Sequence, residues 1–135
     1  MKVLILLLVS VSLFAETIGE VSTKGMVFKD KVEVVAFDDP TISGIACYTT
    51  VHHRALSFVD SSDASLACRQ IGKITGDLKD LPDIFSRDKS FFFKTTVVDR
   101  FYDAKRKVLV YLSYTKDFGS KGNSSHSISV VPVGL

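Results

Sequence analysis

The sequence lacks most features that would point directly to a function. It has no tryptophan and only two cysteines in 135 residues, and its 17 basic and 15 acidic side chains leave a net charge of +2. A charge so close to balance gives no electrostatic footprint for nucleic acid. The apolar share of 46% excludes a disordered or collagen-like chain, and the length is that of one domain.

Motifs of catalytic and cofactor chemistry are also missing. The sequence contains no G-x-S-x-G, no H-E-x-x-H, no G-x-G-x-x-G and no phosphate-binding loop. We therefore expect no catalytic residues, no cofactor and no resident metal. No internal repeat, low-complexity tract or linker divides the chain.

The N-terminus carries the first positive signal. Lys2 precedes an apolar run over residues 3–14, and Ala15 follows it. The run is shorter than the ~20 residues that a membrane-spanning helix needs, and its basic, apolar and small parts follow the order of a secretory signal peptide. We predict cleavage near Ala15, export without a membrane anchor, and a single domain over residues 16–135.

Export to an oxidising compartment favours a disulfide between the two cysteines. Cys47 and Cys68 are too far apart for a C-x-x-C redox motif or a metal-binding pair. In an oxidising compartment they are most simply one disulfide, which would stabilise the fold by roughly 3 kcal/mol in the chain-entropy model. The alternative is a pair of free buried thiols.

Most of the remaining sequence predicts β-strand. Period-2 alternation, or density in aromatic and β-branched residues, indicates strands over residues 31–37, 44–51, 91–102, 108–114 and 127–133. Residues 103–107 predict a hairpin turn, and Pro132 places the last strand at a sheet edge or ends it there.

One short helix is predicted among these strands. Ser61 or Ser62 caps it, Gly72 ends it, and residues 60–70 would carry Leu66 and Cys68. Residues 73–89 are predicted to be mostly loop. The fold class is therefore mainly β with one short helix, a β-rich α+β domain built as an antiparallel sandwich or small barrel with one disulfide.

Alternation also assigns strand faces. In the first of these strands, Val32, Val34 and Ala36 share a face opposite Glu33. Asp99 falls on the same face as Phe101, which is otherwise apolar, so its carboxylate requires a cation such as Arg100. Two interpretations stay open for this region. One is a structural ion pair at the hairpin end, and the other is an anion- or partner-binding patch of Arg100, Lys105 and Arg106, with Asp103 at the turn.

Two further groups are weaker candidates. Asp38 and Asp39 before Pro40 are either a turn or part of a calcium or acid–base site, although calcium needs more oxygen ligands than two carboxylates supply. His52 and His53 point to opposite faces of a strand, so a metal site would need His126 or a carboxylate as well. Surface histidines are the simpler interpretation.

The chain resembles the CreA family of bacterial exported proteins. The resemblance is carried by residues 31–40 (KVEVVAFDDP), 60–72 (DSSDASLACRQIG) and 97–117 (VVDRFYDAKRKVLVYLSYTKD), and it extends to the final SISVVPV. It implies a periplasmic, signal-bearing protein of the Gram-negative type, in a family without an assigned enzymatic activity. Residues 52–58 (HHRALSF) replace a glycine-rich stretch of other members.

Three functions are consistent with these observations. The first is a non-catalytic periplasmic module that binds a protein or a small ligand, with Arg100, Asp103, Lys105, Arg106, Asp38 and Asp39 as candidate contacts. The second is a small hydrolase or lyase that uses a histidine–carboxylate pair. The third is a thiol-redox protein, which requires a strained or accessible Cys47–Cys68 bond.

Overall fold

In the part of the chain that the structure describes, alternating side chains form eight strands. The computed structural model describes residues 15–24, 30–53, 65–88, 94–117 and 125–134. The strands are Glu16–Lys24 (β1), Asp30–Asp38 (β2), Ile42–His53 (β3), Leu66–Gly76 (β4), Leu81–Asp88 (β5), Lys94–Asp103 (β6), Val108–Asp117 (β7) and His126–Pro132 (β8). In these ranges there is no helix, and hence none that could cross a membrane.

The strands form two antiparallel sheets of four, in the order β1-β2-β3-β4 (sheet 1) and β5-β6-β7-β8 (sheet 2). Residues of both sheets meet in one apolar core, where Phe37 of β2 stacks on Phe85 of β5 with ring centroids 4.3 Å apart. On the far side the backbone N–H of Cys68 in β4 donates to the Ser129 hydroxyl of β8 at 2.8 Å. The predicted β-rich antiparallel architecture is confirmed.

The disulfide is confirmed, but the helix predicted to carry Cys68 is wrong over its described part. Cys47 and Cys68 are direct cross-strand partners on β3 and β4, and they are bonded to each other. Pairing with β3 supplies backbone hydrogen bonds to this segment, so tertiary context overrides its local helix signals. The predicted cap at Ser61 or Ser62 lies outside the described residues.

Residues 73–89 are also not mostly loop, because β4 continues to Gly76 and β5 begins at Leu81. The register of β5 shifts between Leu81 and Phe85, and Asp83 there has a φ of 53°. Pro82 fits this strand because β5 is at a sheet edge, where a missing N–H breaks no ladder. Pro82 and the polar residues weaken the strand signal of this segment, although Ile84 and Phe85 pack in or against the core.

Two predicted faces are reversed. On β2 the buried residues are Glu33, Val35 and Phe37, since Phe37 stacks across the sandwich. On β6 it is Arg100 that is buried, while Phe101 is exposed on the opposite face with Asp99. Both segments carry apolar side chains on both faces, so alternation alone could not choose the inner one.

The remaining strand predictions are confirmed over the residues that the structure describes, and residues 91–93 of the strand predicted over 91–102 lie outside them. Residues 104–107 form the turn between β6 and β7, and β8 is the edge strand of sheet 2 that ends at Pro132. The short connections 39–41, 77–80 and 104–107 lie at the same end of the two sheets, which we call the short-loop end. The candidate site lies at this short-loop end.

Candidate functional site

Asp39 organises the connection between β2 and β3. Its carboxylate oxygen Oδ1 accepts hydrogen bonds from the backbone N–H groups of Thr41 and Ile42, both at 3.1 Å. Such a turn is what an aspartate before Pro40 favours, because the side chain can cap the backbone that follows it. The turn interpretation of Asp39 therefore accounts for one of its two oxygens.

Arg100 reaches the same carboxylate from sheet 2. Its Nη1 forms an ion pair with Asp39, and neither side chain is exposed to solvent. The same nitrogen donates to the Thr41 hydroxyl at 3.0 Å, and Nε donates to the backbone carbonyl of Lys79 at 3.0 Å. One guanidinium thus joins β6 to the connections 39–41 and 77–80.

Tyr111 of β7 completes the cluster. Its hydroxyl donates to Asp39 Oδ2 at 2.7 Å, and its side chain is fully buried. Burial, followed by the hydrogen bond to the Asp39 carboxylate, raises the pKa of Tyr111 well above its ordinary value. The buried network of Asp39, Arg100 and Tyr111 is therefore a cross-sheet tie rather than a solvent-exposed reactive centre.

The network also fixes the 77–80 connection. Arg100 holds the Lys79 carbonyl, and the Asp80 carboxylate accepts a hydrogen bond from the Tyr102 backbone N–H at 2.8 Å. Gly76 precedes this connection with a φ of 136°, and a Cβ atom there would lie 2.4 Å from the Thr41 carbonyl oxygen. Glycine is required at this close approach.

A pocket of about 280 Å³ opens beside the fixed connection. Its wall combines apolar residues of β4, the 77–80 connection and the chain end with one cation from the 104–107 turn. The lining residues of this short-loop pocket are Ile74, Gly76, Leu78, Tyr102, Lys107, Val133 and Gly134. Lys107 is held in place by its carbonyl, which accepts a hydrogen bond from the Val133 N–H at 2.9 Å.

The turn next to the pocket carries a second acidic–basic pair. Arg106 Nη1 pairs with Asp103 Oδ2 at 3.0 Å, and the Arg106 backbone N–H donates to Asp103 Oδ1 at 3.1 Å. These bonds lower the pKa of the Asp103 carboxyl, the side-chain bond from Arg106 most of all. Lys105 and Lys107 form no ion pair with any residue that the structure describes. The turn therefore presents unpaired positive charge.

The structure separates the candidates that the sequence grouped together. Arg100 is buried with Asp39, so it does not form a surface patch with Lys105 and Arg106. It does not pair with Asp99 either, whose carboxylate instead accepts from the Asp83 backbone N–H at 2.7 Å and the Tyr114 hydroxyl at 3.0 Å.

Asp38 ends β2 with its side chain exposed. His126 is also exposed, whereas the side chains of His52 and His53 lie outside the described part of the chain, as do residues 54–58. Within the described ranges, no three His, Cys, Asp or Glu side chains are grouped so that they could hold a metal ion.

Sequence reasoning missed most of the pocket. Ile74 and Leu78 fell in a segment predicted to be loop, and Lys107 was assigned only to the turn. The available signal was the alternation that continues past Gly72, in which Ile74 is half-buried between exposed Lys73 and Thr75.

Comparisons with known proteins agree with the resemblance seen in the sequence. The family described as CreA protein matches residues 18–134. Protein CreA of Escherichia coli K12 is 38% identical over 141 aligned residues, which cover 88% of this chain and 84% of that protein. Protein CreA of Escherichia coli O157:H7 gives the same values. No solved structure shows a significant match to this chain.

Proposed function

This chain belongs to the CreA family, and from that premise we propose that it is an exported, periplasmic binding module without catalytic activity. We propose further that it holds a small, singly anionic amphipathic molecule in the short-loop pocket. The observation that carries the proposal is the composition of that pocket, an apolar wall with one unpaired lysine. Ligand sites typically combine such a wall with a few polar groups that orient the ligand.

The pocket limits the size of the ligand. A volume of about 280 Å³ is near the lower end for small-molecule sites. A pocket of this size favours a ligand of few non-hydrogen atoms. Ile74, Leu78 and Val133 favour a hydrocarbon chain or ring, and Lys107 favours a carboxylate at its end. A medium-chain carboxylate matches both requirements.

Export is the second part of the proposal. The signal-like segment before Ala15 and the Cys47–Cys68 disulfide both support an oxidising compartment outside the cytoplasm. Purification from the periplasmic fraction and intact mass spectrometry test this part. We expect a chain that lacks residues 1–15 and two cysteine hydrogens. A full-length chain with free thiols in the cytoplasm would contradict it.

The alternative, a hydrolase or lyase built on a histidine–carboxylate pair of His52 or His126, has no observation in its favour among the side chains that the structure describes, which include His126 but not His52. Its test requires a histidine within hydrogen-bond reach of an acid. His126 is exposed and forms no hydrogen bond or ion pair with a described residue. The redox alternative requires an accessible disulfide, and here Cys47 is fully buried while Cys68 is half-buried.

Octanoate is a suitable probe because it joins a short hydrocarbon chain, which suits the apolar wall, to a single carboxylate, which suits Lys107. Titration into the ¹⁵N-labelled protein should shift the backbone amide signals of Gly76, Leu78 and Gly134. Lys107→Gln should weaken octanoate binding about fivefold, the loss expected for one charge-assisted contact of ~1 kcal/mol.

Two controls make this experiment decisive. Lys105→Gln removes a charge from the same turn but not from the pocket wall, so it should leave octanoate binding nearly unchanged. Octanamide has the same size without the charge and should bind equally to the native chain and to Lys107→Gln. Amide shifts confined to other regions, or equal binding of octanoate and octanamide, would refute the proposed site.

A further inference from the structure

The interior of the sandwich contains three hydroxyl groups that lack a hydrogen-bond partner. Thr96 and Ser113 are fully buried, and Thr115 is 5% exposed. None of the three hydroxyl oxygens has a partner in the part of the chain that the structure describes. Buried polar groups in native proteins are nearly always hydrogen-bonded, so three exceptions in one place require an explanation.

The strand register brings these hydroxyls together. Thr96 of β6 is directly opposite Thr115 of β7, and Ser113 is two residues from Thr115 and therefore on the same face. Opposed side chains on one face lie ~5 Å apart, so the three hydroxyls form one polar group on the inner face of sheet 2. We call this part of the interior the hydroxyl end. It lies away from the short-loop end, beyond the row of Arg100 and Tyr111.

An ion pair joins the two sheets at the hydroxyl end. Arg87 Nη1 of β5 lies 2.9 Å from Glu33 Oε1 of β2. Arg87 is opposite Thr96 in the strand register, so the ion pair is adjacent to the hydroxyls. The Arg87 side chain is 33% exposed, whereas those of Asp39 and Arg100 are completely buried. Water can therefore compete with Glu33 for the Arg87 guanidinium.

A row of hydrogen-bonding side chains ties the sheets together near the short-loop end. Arg100, Tyr111 and Ser129 are directly opposed on β6, β7 and β8. Arg100 and Tyr111 both donate to the Asp39 carboxylate, and the Ser129 hydroxyl accepts from the Cys68 backbone N–H. The two ends of the sandwich therefore differ, with buried hydrogen bonds at one and a partly exposed ion pair beside unpartnered hydroxyls at the other.

We propose that the two sheets part at the hydroxyl end, with the Glu33–Arg87 ion pair as a latch and the row of Arg100 as the hinge. In the closed arrangement the hydroxyl oxygens are shielded from water, so each has lost its hydration without a replacement. Opening lets water hydrate them, which offsets part of the free energy of exposing apolar neighbours such as Val51 and Val98. The other end stays closed, because separating a buried charge from its partner costs much more.

Alkylation of a buried cysteine by iodoacetamide measures this opening. Val51→Cys places a thiol at the hydroxyl end, since Val51 is fully buried and pairs with Glu33 in the strand register. Val131→Cys is the matched probe near the short-loop end, where Val131 is 2% exposed. We expect the thiol of Val51→Cys to react at least about tenfold faster, because it requires only local opening of the folded chain. Peptide mass spectrometry measures both rates and verifies that the native disulfide stays intact.

A second substitution in each cysteine variant tests the latch. Arg87→Gln should speed the alkylation of Val51→Cys about fivefold, the factor expected for the loss of one partly exposed ion pair. It should leave the alkylation rate of Val131→Cys unchanged. The matched control is Arg106→Gln, which breaks the exposed ion pair with Asp103 and should change neither rate.

Removal of a hydroxyl should have the opposite effect. Thr96→Val removes an unpartnered hydroxyl from the closed arrangement and a hydrated one from the open arrangement. The closed arrangement is therefore favoured, and alkylation of Val51→Cys should slow about fivefold. Thr50→Val is the matched control, because it makes the same substitution on the outer face of β3, where Thr50 is half-buried. It should leave the rate unchanged.

Three results would overturn the proposal. They are equal alkylation rates of the two thiols, an Arg87→Gln rate no higher than that of its control, and faster alkylation in Thr96→Val. Circular dichroism checks that each variant is folded. If Val51→Cys does not fold, Val98→Cys supplies a second probe of the hydroxyl end, since Val98 is fully buried opposite Ser113. Octanoate is absent from these measurements, so their outcome does not depend on the ligand proposed for the short-loop pocket.

Discussion

Two aspartate–arginine pairs lie at the same end of this sandwich and differ in almost every physical respect. Asp39 and Arg100 are 61 residues apart in sequence and wholly buried. Asp103 and Arg106 are three residues apart, and their side chains are 29% and 69% exposed. The same two residue types therefore build a core element in one place and a solvated turn in the other.

The two pairs differ in how far folding removes their hydration. Water solvates Asp103 and Arg106 whether or not they meet, so their contact adds little. Asp39 and Arg100 have lost that water, and protein groups must satisfy them instead. Asp39 accepts from Thr41, Ile42, Arg100 and Tyr111. Removing one buried partner leaves the others buried without a hydrogen-bond partner. The buried pair therefore holds the short connections together.

The largest effect should follow removal of the buried carboxylate. Asp39→Ala leaves the Arg100 guanidinium buried without its counter-ion, which costs about 3–5 kcal/mol of unfolding free energy. Urea denaturation measures the loss. Asp38→Ala is the matched control, since it removes an exposed carboxylate one residue away and should change the unfolding free energy little. A loss in Asp39→Ala no larger than that of the control would contradict the role given to the network.

A double-mutant cycle on Asp39→Asn and Arg100→Met should show a smaller but positive coupling. Buried groups in direct contact couple by about 0.5–3 kcal/mol. The coupling arises because the second substitution removes the buried charge that the first substitution left unpaired. The corresponding cycle on Asp103→Asn and Arg106→Met should show a much smaller coupling, since both groups remain solvated. Equal coupling in the two cycles would remove the distinction between the pairs.

Sequence reasoning could reach the exposed pair but not the buried one. Asp103 and Arg106 lie within one turn, and local turn chemistry predicts that they meet. The contact between Asp39 and Arg100 depends on how two sheets pack and on which face of β6 points inward. Because β6 and β7 are apolar on both faces, alternation predicts the strands without deciding their orientation.

The same contrast holds for other elements: local patterns predict some of them, and others depend on strand pairing. The β3 face that includes Ile45, Cys47 and Val51 is buried, and alternation alone identifies it because the opposite face is more polar. Leu66–Gly76 was predicted in part as helix because its pairing with β3 lies beyond local signals. Ile74 and Gly76 of this strand line the pocket, so a wrong secondary-structure prediction for the strand also prevented prediction of the pocket.

Tyr111 provides a pH-dependent test of burial. Its pKa is raised above the ordinary value of 10.0, first by burial and then by the hydrogen bond to Asp39. The neutral phenol thus stabilises the fold below pH 10, and this contribution is lost as pH rises above the unfolded pKa towards the folded one. Above pH 10 the native chain should lose up to about 1.4 kcal/mol more per pH unit than Tyr111→Phe. Parallel pH profiles for the two chains would show that this hydroxyl is not buried.

Asp103 should give the smallest effect, in the opposite pH direction. Arg106 lowers the pKa of this carboxyl below 3.8, so its contribution to stability is present above that pH and is lost as pH falls through the folded pKa. Carbon-13 NMR titration of the carboxyl measures the pKa directly. Arg106→Gln should raise it towards 3.8 without reaching it, because the backbone N–H of residue 106 still donates to Asp103. Lys105→Gln should leave it nearly unchanged, since that side chain forms no ion pair with a described residue. If both substitutions moved the pKa equally, the turn would act through its general positive charge, and the exposed pair would have no specific bond to compare with the buried one.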